Sequence, residues 1–167
     1  MEKMDLRSFG MEELLTAALK SETESRDVYA HLAANVKNAF LKDRLRFLSA
    51  EEEKHQGFIE GVFGERFPGK NIVLPARTPV PLPSITFDAE AVPLSDVLAA
   101  AMGAEDAAAR FYRGLADRFA GDAATARMIA YLAVMEVGHY KLLELERENL
   151  LHAEDYAVSW PFVHEGP

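Results

Sequence analysis

At 167 residues, 49% hydrophobic and 27% charged, the chain is one domain's length of globular protein with enough apolar material for a real core. Its formal net charge of −9 excludes nucleic acid as an expected partner, since phosphate contacts need a basic face. The absence of cysteine excludes disulfides, thiol catalysis and cysteine-ligated metals; no run approaches the roughly 18 apolar residues of a membrane span, and the opening MEKMDLRSFG lacks a signal peptide's apolar stretch, so no membrane partner and a cytoplasmic location are expected.

Four segments carry helical periodicity and good helix formers. The first runs from Met11 to Val36, with Ser8 as its N-cap, and the second from Phe40 to Phe63, with Gly64 as its stop. Between Gly64 and Pro93, FPGKNIVLPARTPVPLPSITFD holds five prolines and reads as an extended connection, because proline lacks the amide donor and clashes with the preceding turn. The third helix starts at Leu94 or Ser95 and ends at Gly121; Asp122 caps the fourth, which reaches Leu151. The tail HAEDYAVSWPFVHEGP, residues 152–167, reads as irregular but docked, since it carries Tyr156, Trp160 and Phe162. Short turns make each helix pair an antiparallel hairpin. A helix of about 24 residues spans roughly 36 Å, and the proline-rich stretch is long enough to cross that distance. The expected fold is therefore all-α: a ferritin-like four-helix bundle over residues 1–151, with a long crossover at 64–93 between its second and third helices.

Read at alternating steps of four and three, each helix shows one inward stripe. The stripes run Leu15, Ala18, Glu22, Ser25, Tyr29, Leu32; Leu45, Leu48, Glu52, His55, Ile59; Leu98, Ala101, Glu105, Ala108, Tyr112, Leu115; and Ile129, Leu132, Glu136, His139, Leu143. All are apolar except near the middle, where each helix places one Glu and the second and fourth add a His three residues on. The halves repeat. A shift of 83 carries Leu15, Ala18, Glu22, Tyr29 and Leu32 onto Leu98, Ala101, Glu105, Tyr112 and Leu115, and a shift of 84 carries Leu48, Glu52 and His55 onto Leu132, Glu136 and His139. A pseudo-twofold axis follows, with four Glu and two His in one layer.

Four buried carboxylates are untenable alone, since each isolated buried charge costs several kcal/mol. Two divalent cations neutralise four carboxylates and two neutral imidazoles, and such ligands suit iron, manganese or zinc. The Glu-x-x-His spacing places both ligands on one helix face. Glu51, Glu53 and Lys54 read as solvated neighbours; His31, His152 and His164 lie off the stripes. Tyr29 and Tyr112 read either as core aromatics with satisfied hydroxyls or as donors orienting a ligand carboxylate of the opposite hairpin. The small residues Ala18, Ser25, Ala101 and Ala108 read as room for metals and a small oxidant, or as close helix packing. Phe47, Phe58, Phe111 and Tyr140, off the stripes, suggest further buried faces and hence a homodimer or larger assembly.

With these residues in place the chain resembles the ferritin-like di-iron proteins, most closely the rubrerythrins, through Glu22…Tyr29, Glu52-x-x-His55, Glu105…Tyr112 and Glu136-x-x-His139 and the stretches SETESRDVYAHLA and EEEKHQGF. The resemblance implies two irons per chain. Glu52 and Glu136 would bridge them, Glu22 with His55 would complete one shell, and Glu105 with His139 the other. It also implies reduction of hydrogen peroxide or dioxygen. Two departures stand out. No cysteine is present for a rubredoxin-type donor domain, so electrons come from an external donor or from Fe(II) itself. Rubrerythrins carry a further Glu three residues after the third-helix ligand, and here that position is Ala108, which brings the ligand set closer to that of a bacterioferritin. Two other functions compete with an oxidoreductase: non-catalytic iron handling, and a metal-stapled bundle whose tail docks a partner.

Overall fold

The computed structural model describes residues 3–77, 80, 82 and 93–159, with side chains as far as residue 152. It contains four helices, α1 (Met11–Asn35), α2 (Ala39–Arg66), α3 (Leu94–Arg118) and α4 (Ala123–Ser159), and no strand among the described residues. None of these helices is long and apolar enough to cross a membrane.

The caps explain where each helix begins. α1 is capped at Gly10 rather than Ser8, because the Glu13 carboxylate reaches back to accept the Gly10 amide at 2.8 Å. Asn38 Oδ1 accepts the amides of Phe40 and Leu41 at 3.0 and 3.1 Å and opens α2. Asp122 Oδ1 does the same for Ala124 and Thr125, both at 3.1 Å, and opens α4. The ends depart further from the sequence reading. Gly64 does not stop α2, which continues to Arg66: Val62 and Phe63 are buried, and the exposed glycine is carried along. The chain turns instead at Gly69, whose φ of 76° lies in the left-handed region. α3 ends at Arg118, short of Gly121. α4 extends beyond Leu151 to Ser159, so residues 152–159 are helical rather than irregular; HAEDYAVS contains no glycine or proline to break it. Residues 160–167, with Trp160, Phe162 and His164, and residues 78, 79, 81 and 83–92 of the proline-rich connection lie outside the described residues.

Two cross-bundle contacts fix the topology. Tyr29 on α1 reaches Glu105 on α3, and Tyr112 on α3 reaches Glu22 on α1. As α1 ascends from 22 to 29, α3 descends from 112 to 105, so the two are antiparallel. With α1 and α2 also antiparallel, α2 and α3 run parallel, and only a connection spanning the bundle length can join them. The molecule is thus a ferritin-like four-helix bundle.

The core falls into two clusters, one at each end. Leu14, Leu15, Leu19, Ile59, Phe63, Phe111, Leu115 and Ile129 fill one end; Leu32, Leu41, Leu45, Leu48, Leu98 and Leu143 fill the other. Each fully buried Leu or Phe contributes about 1.5–3 kcal/mol. Phe111 is therefore core, but Phe47 is 51% exposed and Phe58 and Tyr140 are half-buried, so the off-stripe aromatics do not form one further buried face within the chain. The crossover contributes Val80 to the first cluster. Residues 3–9 also join it as a strap over α3. Leu6 is buried, the Met4 amide donates to the Arg110 carbonyl at 3.1 Å, and Arg118 Nη1 donates to the carbonyls of Leu6 and, at 3.0 Å, Phe9. Gly114 makes room for this: a Cβ there would lie 2.3 Å from the Met4 carbonyl oxygen.

Candidate metal centre

Between the two apolar ends lies a polar layer. Glu22 comes from α1, Glu52 and His55 from α2, Glu105 from α3, and Glu136 and His139 from α4; each is between 1% and 4% exposed. The bundle folds this way because the stripe residues on either side of each of them are buried, and an i, i+3 pair cannot leave the face its neighbours occupy. All six residues singled out in the sequence converge here. Glu53 and Lys54 lie outside in solvent, while Glu51 is half-buried and accepts from Lys54 at 2.5 Å, so it is not the fully solvated residue expected. His31 and His152 are exposed.

The geometry has the expected pseudo-twofold symmetry. Glu52 turns Oε2 to His55 Nδ1 at 3.2 Å and Oε1 to His139 Nδ1 at 3.1 Å. Glu136 turns Oε1 to His55 Nδ1 at 3.0 Å and Oε2 to His139 Nδ1 at 3.1 Å. Glu22 Oε2 adds a third oxygen beside His55 at 3.3 Å, and Glu105 Oε2 lies 3.9 Å from His139. The two imidazoles stack with centroids 5.4 Å apart and planes inclined by 18°, an arrangement that no spacing rule in the sequence foretells. Donor atoms of Glu52, His55, Glu136 and His139 all lie within 4.8 Å of one another.

Metal coordination fits this set better than hydrogen bonding does. His55 Nδ1 has three carboxylate oxygens between 3.0 and 3.3 Å, yet it makes no hydrogen bond with acceptable angles; Glu52 Oε1 and Glu136 Oε1 are likewise buried without a hydrogen bond. Buried polar atoms are rarely left so. Donors about 2.1 Å from a common ion and about 90–110° apart are separated by roughly 3.0–3.4 Å, which is the spacing seen around His55.

Without metal, protons must play the same part. Burial and the charge of Glu52 raise the Glu22 carboxyl to about 8. Burial and the charges of Glu52 and Glu136 raise Glu105 well above the carboxylate range. For the imidazoles burial works downward but loses to the carboxylates: Glu136, Glu22 and Glu52 hold His55 far above its ordinary value, and Glu136 with Glu52 holds His139 at about 9. Burial works upward on Glu52 and Glu136, but contact with the two imidazoles takes both below the usual range. Two neutral acids, two imidazolium ions and two carboxylates sum to zero, as do four carboxylates, two imidazoles and two dications.

Both tyrosines are buried and donate to the opposite hairpin, Tyr29 to Glu105 Oε1 and Tyr112 to Glu22 Oε1. Their hydroxyls stay protonated, since burial and the nearby carboxylates raise both well above the phenol value. Besides the six, the other buried polar side chains among the described residues are Thr16, Ser25 and Ser95.

A four-helix bundle with four Glu and two His converging in one buried layer defines a ferritin-like carboxylate protein. Residues 13–146 match the family model for rubrerythrin, and the chain belongs to the rubrerythrin family. Among solved structures, it is similar to a hypothetical protein from Pyrococcus furiosus, with 36% identity and a TM-score of 0.78 over 88% of this chain and 94% of that one. No curated protein matches the chain.

Proposed function

We propose that the protein is a di-iron oxidoreductase that reduces hydrogen peroxide or dioxygen with electrons from Fe(II) or an external donor. The observation that carries this reading is the placement of Glu52 and Glu136, each with one oxygen toward His55 and the other toward His139. Glu22 and His55 would hold one ion, Glu105 and His139 the other, and the two central carboxylates would be shared. A pair of irons bound there supplies two adjacent one-electron centres and Lewis acidity; zinc or manganese would fit the same donors without the redox partner.

The chain's own residues do the rest. Burial of the layer keeps bulk water away and strengthens each charge interaction. Tyr29 and Tyr112 each occupy one oxygen of Glu105 and Glu22, which leaves the second oxygen facing a histidine. The two apolar ends fix the height of each helix, and with it the register of the donors. Among the described residues, nothing in the layer is a thiol or a third imidazole that could serve as a built-in reductant relay. A second copy of the chain is part of the same reading, supported by the exposed Phe47, Tyr131 and Val134 on α2 and α4.

The test is anaerobic reconstitution with Fe(II), metal analysis, and stopped-flow mixing with hydrogen peroxide and with oxygen. Two irons per chain, rapid oxidation and sustained turnover that disappears in Glu52→Ala are expected. A loaded centre inert to both oxidants would leave an iron-binding protein without catalysis and defeat the proposal.

A further inference from the structure

The polar layer is not equally sealed on every side. Glu52, His55 and Glu136 are 1% exposed and the two tyrosines no more, whereas Ser25, Ala104 and Ala108 are 9%, 7% and 8% exposed. These three residues lie on α1 and α3, so the thin wall is the one between those helices. The register of the two helices follows from the Tyr29–Glu105 and Tyr112–Glu22 contacts. Halfway between those contacts stand Ser25 on α1 and Ala108 on α3.

Ser25 is unusual for a helical hydroxyl. Thr16 and Thr23 return their hydroxyls to the carbonyls of Glu12 and Leu19, at 2.8 and 2.7 Å, and Ser49 donates to the Arg26 carbonyl at 3.1 Å. Ser25 is nine-tenths buried on the inward stripe between Glu22 and Tyr29, yet among the described residues its side chain makes no hydrogen bond. The repeat that copies every Glu, His and Tyr of the layer places Ala108 at the matching position. The hydroxyl therefore breaks a symmetry that the rest of the site obeys.

We propose that the α1–α3 face at Ser25 and Ala108 is the docking point of a small polar oxidant of the peroxide class, and that the Ser25 hydroxyl positions it; this rests on the two-metal reading of the layer. A hydroxyl both donates and accepts hydrogen bonds. Hydrogen peroxide can do both in return, whereas dioxygen is a weak acceptor and no donor. Ala108 leaves the space a larger side chain would fill. Ser25 is a positioning and selectivity residue, while the six Glu and His hold the metals.

The test uses full-length protein reconstituted with iron, oxidised, and titrated with sodium azide, read by the absorption band of the anion on the metal centre rather than by turnover. Ser25→Ala is expected to weaken azide binding about fivefold, the loss of roughly one hydrogen bond, and Ser25→Thr to restore most of it. Ala108→Leu is expected to slow azide association with iron content and melting temperature unchanged; Ala108→Val serves the same end if leucine disturbs packing. The ratio of peroxide to dioxygen rate constants is expected to fall in Ser25→Ala. Unchanged azide affinity and association rate in both Ser25→Ala and the Ala108 variants, at two irons per chain, would overturn the proposal. A wild-type chain holding no metal pair would overturn the two-metal reading as well, and metal analysis before azide is added distinguishes that failure.

Discussion

Tyr29 and Glu105 stand 76 residues apart, on different hairpins, and share a buried hydrogen bond in which the phenol donates and the carboxylate accepts. Tyr29→Phe leaves Glu105 Oε1 buried without that donor, a loss of about 1–3 kcal/mol. Metal binding should weaken about 10- to 100-fold at the position shared by Glu105 and His139, with the other position little changed. A Co(II) titration followed by absorbance should change from one phase to two. Tyr112→Phe should produce the same pattern from the Glu22 side, and the double variant should weaken both positions.

Loading the layer should expel protons. Glu22, Glu105, His55 and His139 are all held above their ordinary values in the metal-free protein, so burial and the carboxylates around them favour the protonated form of each. Uptake of divalent metal at pH 7 should therefore release protons, those of Glu22 and the two imidazoles among them. Calorimetric titration in buffers of different ionisation enthalpy measures the number directly. A value near zero would mean that the donors are already deprotonated and the stated charge balance is wrong.

The metal-free bundle should lose stability as the solution becomes alkaline. Glu22 rises from 4.5 unfolded to about 8 folded, and His139 from 6.5 to about 9. A group whose folded value is raised contributes stability that is complete below its unfolded value and disappears as pH climbs through the folded one. The decline should thus begin near pH 4.5, where Glu22 ionises in the unfolded chain, and run to about pH 9, where His139 gives up its proton in the folded one. Glu52 and Glu136, held below their ordinary value, act in the opposite sense and are lost as pH falls below the carboxylate range. Melting temperatures of chelator-treated protein across this range should drop toward pH 9, and a divalent metal should flatten the curve.

Gly114→Ala should lower the melting temperature with the metal ligands untouched. The added Cβ would meet the Met4 carbonyl oxygen at 2.3 Å, and that oxygen belongs to backbone, which yields less readily than a side-chain tip. Overpacking of this kind costs about 1–3 kcal/mol. Met4 and Leu6 should be the first residues to lose amide-exchange protection, because the strap must lift from α3.

The chemistry of the layer was legible because it violates a pattern. A Glu or His amid leucines at a stripe's steps of four and three stands out, and the same violation recurs in both halves. The crossover topology was legible for a similar reason, since five prolines cannot lie within a helix. What remained hidden depends on groups that leave no side-chain signature. The strap over α3 is held by the backbone of Met4, Leu6 and Phe9 and by the missing Cβ of Gly114, none of which shows periodicity. The end of α2 was misplaced because an exposed helical glycine costs only about 1 kcal/mol relative to alanine, and burial of Val62 and Phe63 outweighs that. The length of α4 was underestimated because the aromatics after Leu151 suggested a docked tail, although nothing before Pro161 interrupts a helix. Ser25 was visible only as a small residue; its lack of a partner is a property of three dimensions.

The correspondence of the hairpins, Glu22, Tyr29, Glu52 and His55 in one against Glu105, Tyr112, Glu136 and His139 in the other, means that neither can build its own metal position. Each tyrosine serves its neighbour's carboxylate, and each central glutamate faces both imidazoles. A gene encoding a single hairpin, about half this length, would therefore find everything it lacked in its own twin, and the present bundle has the construction of such a self-pairing ancestor fused end to end.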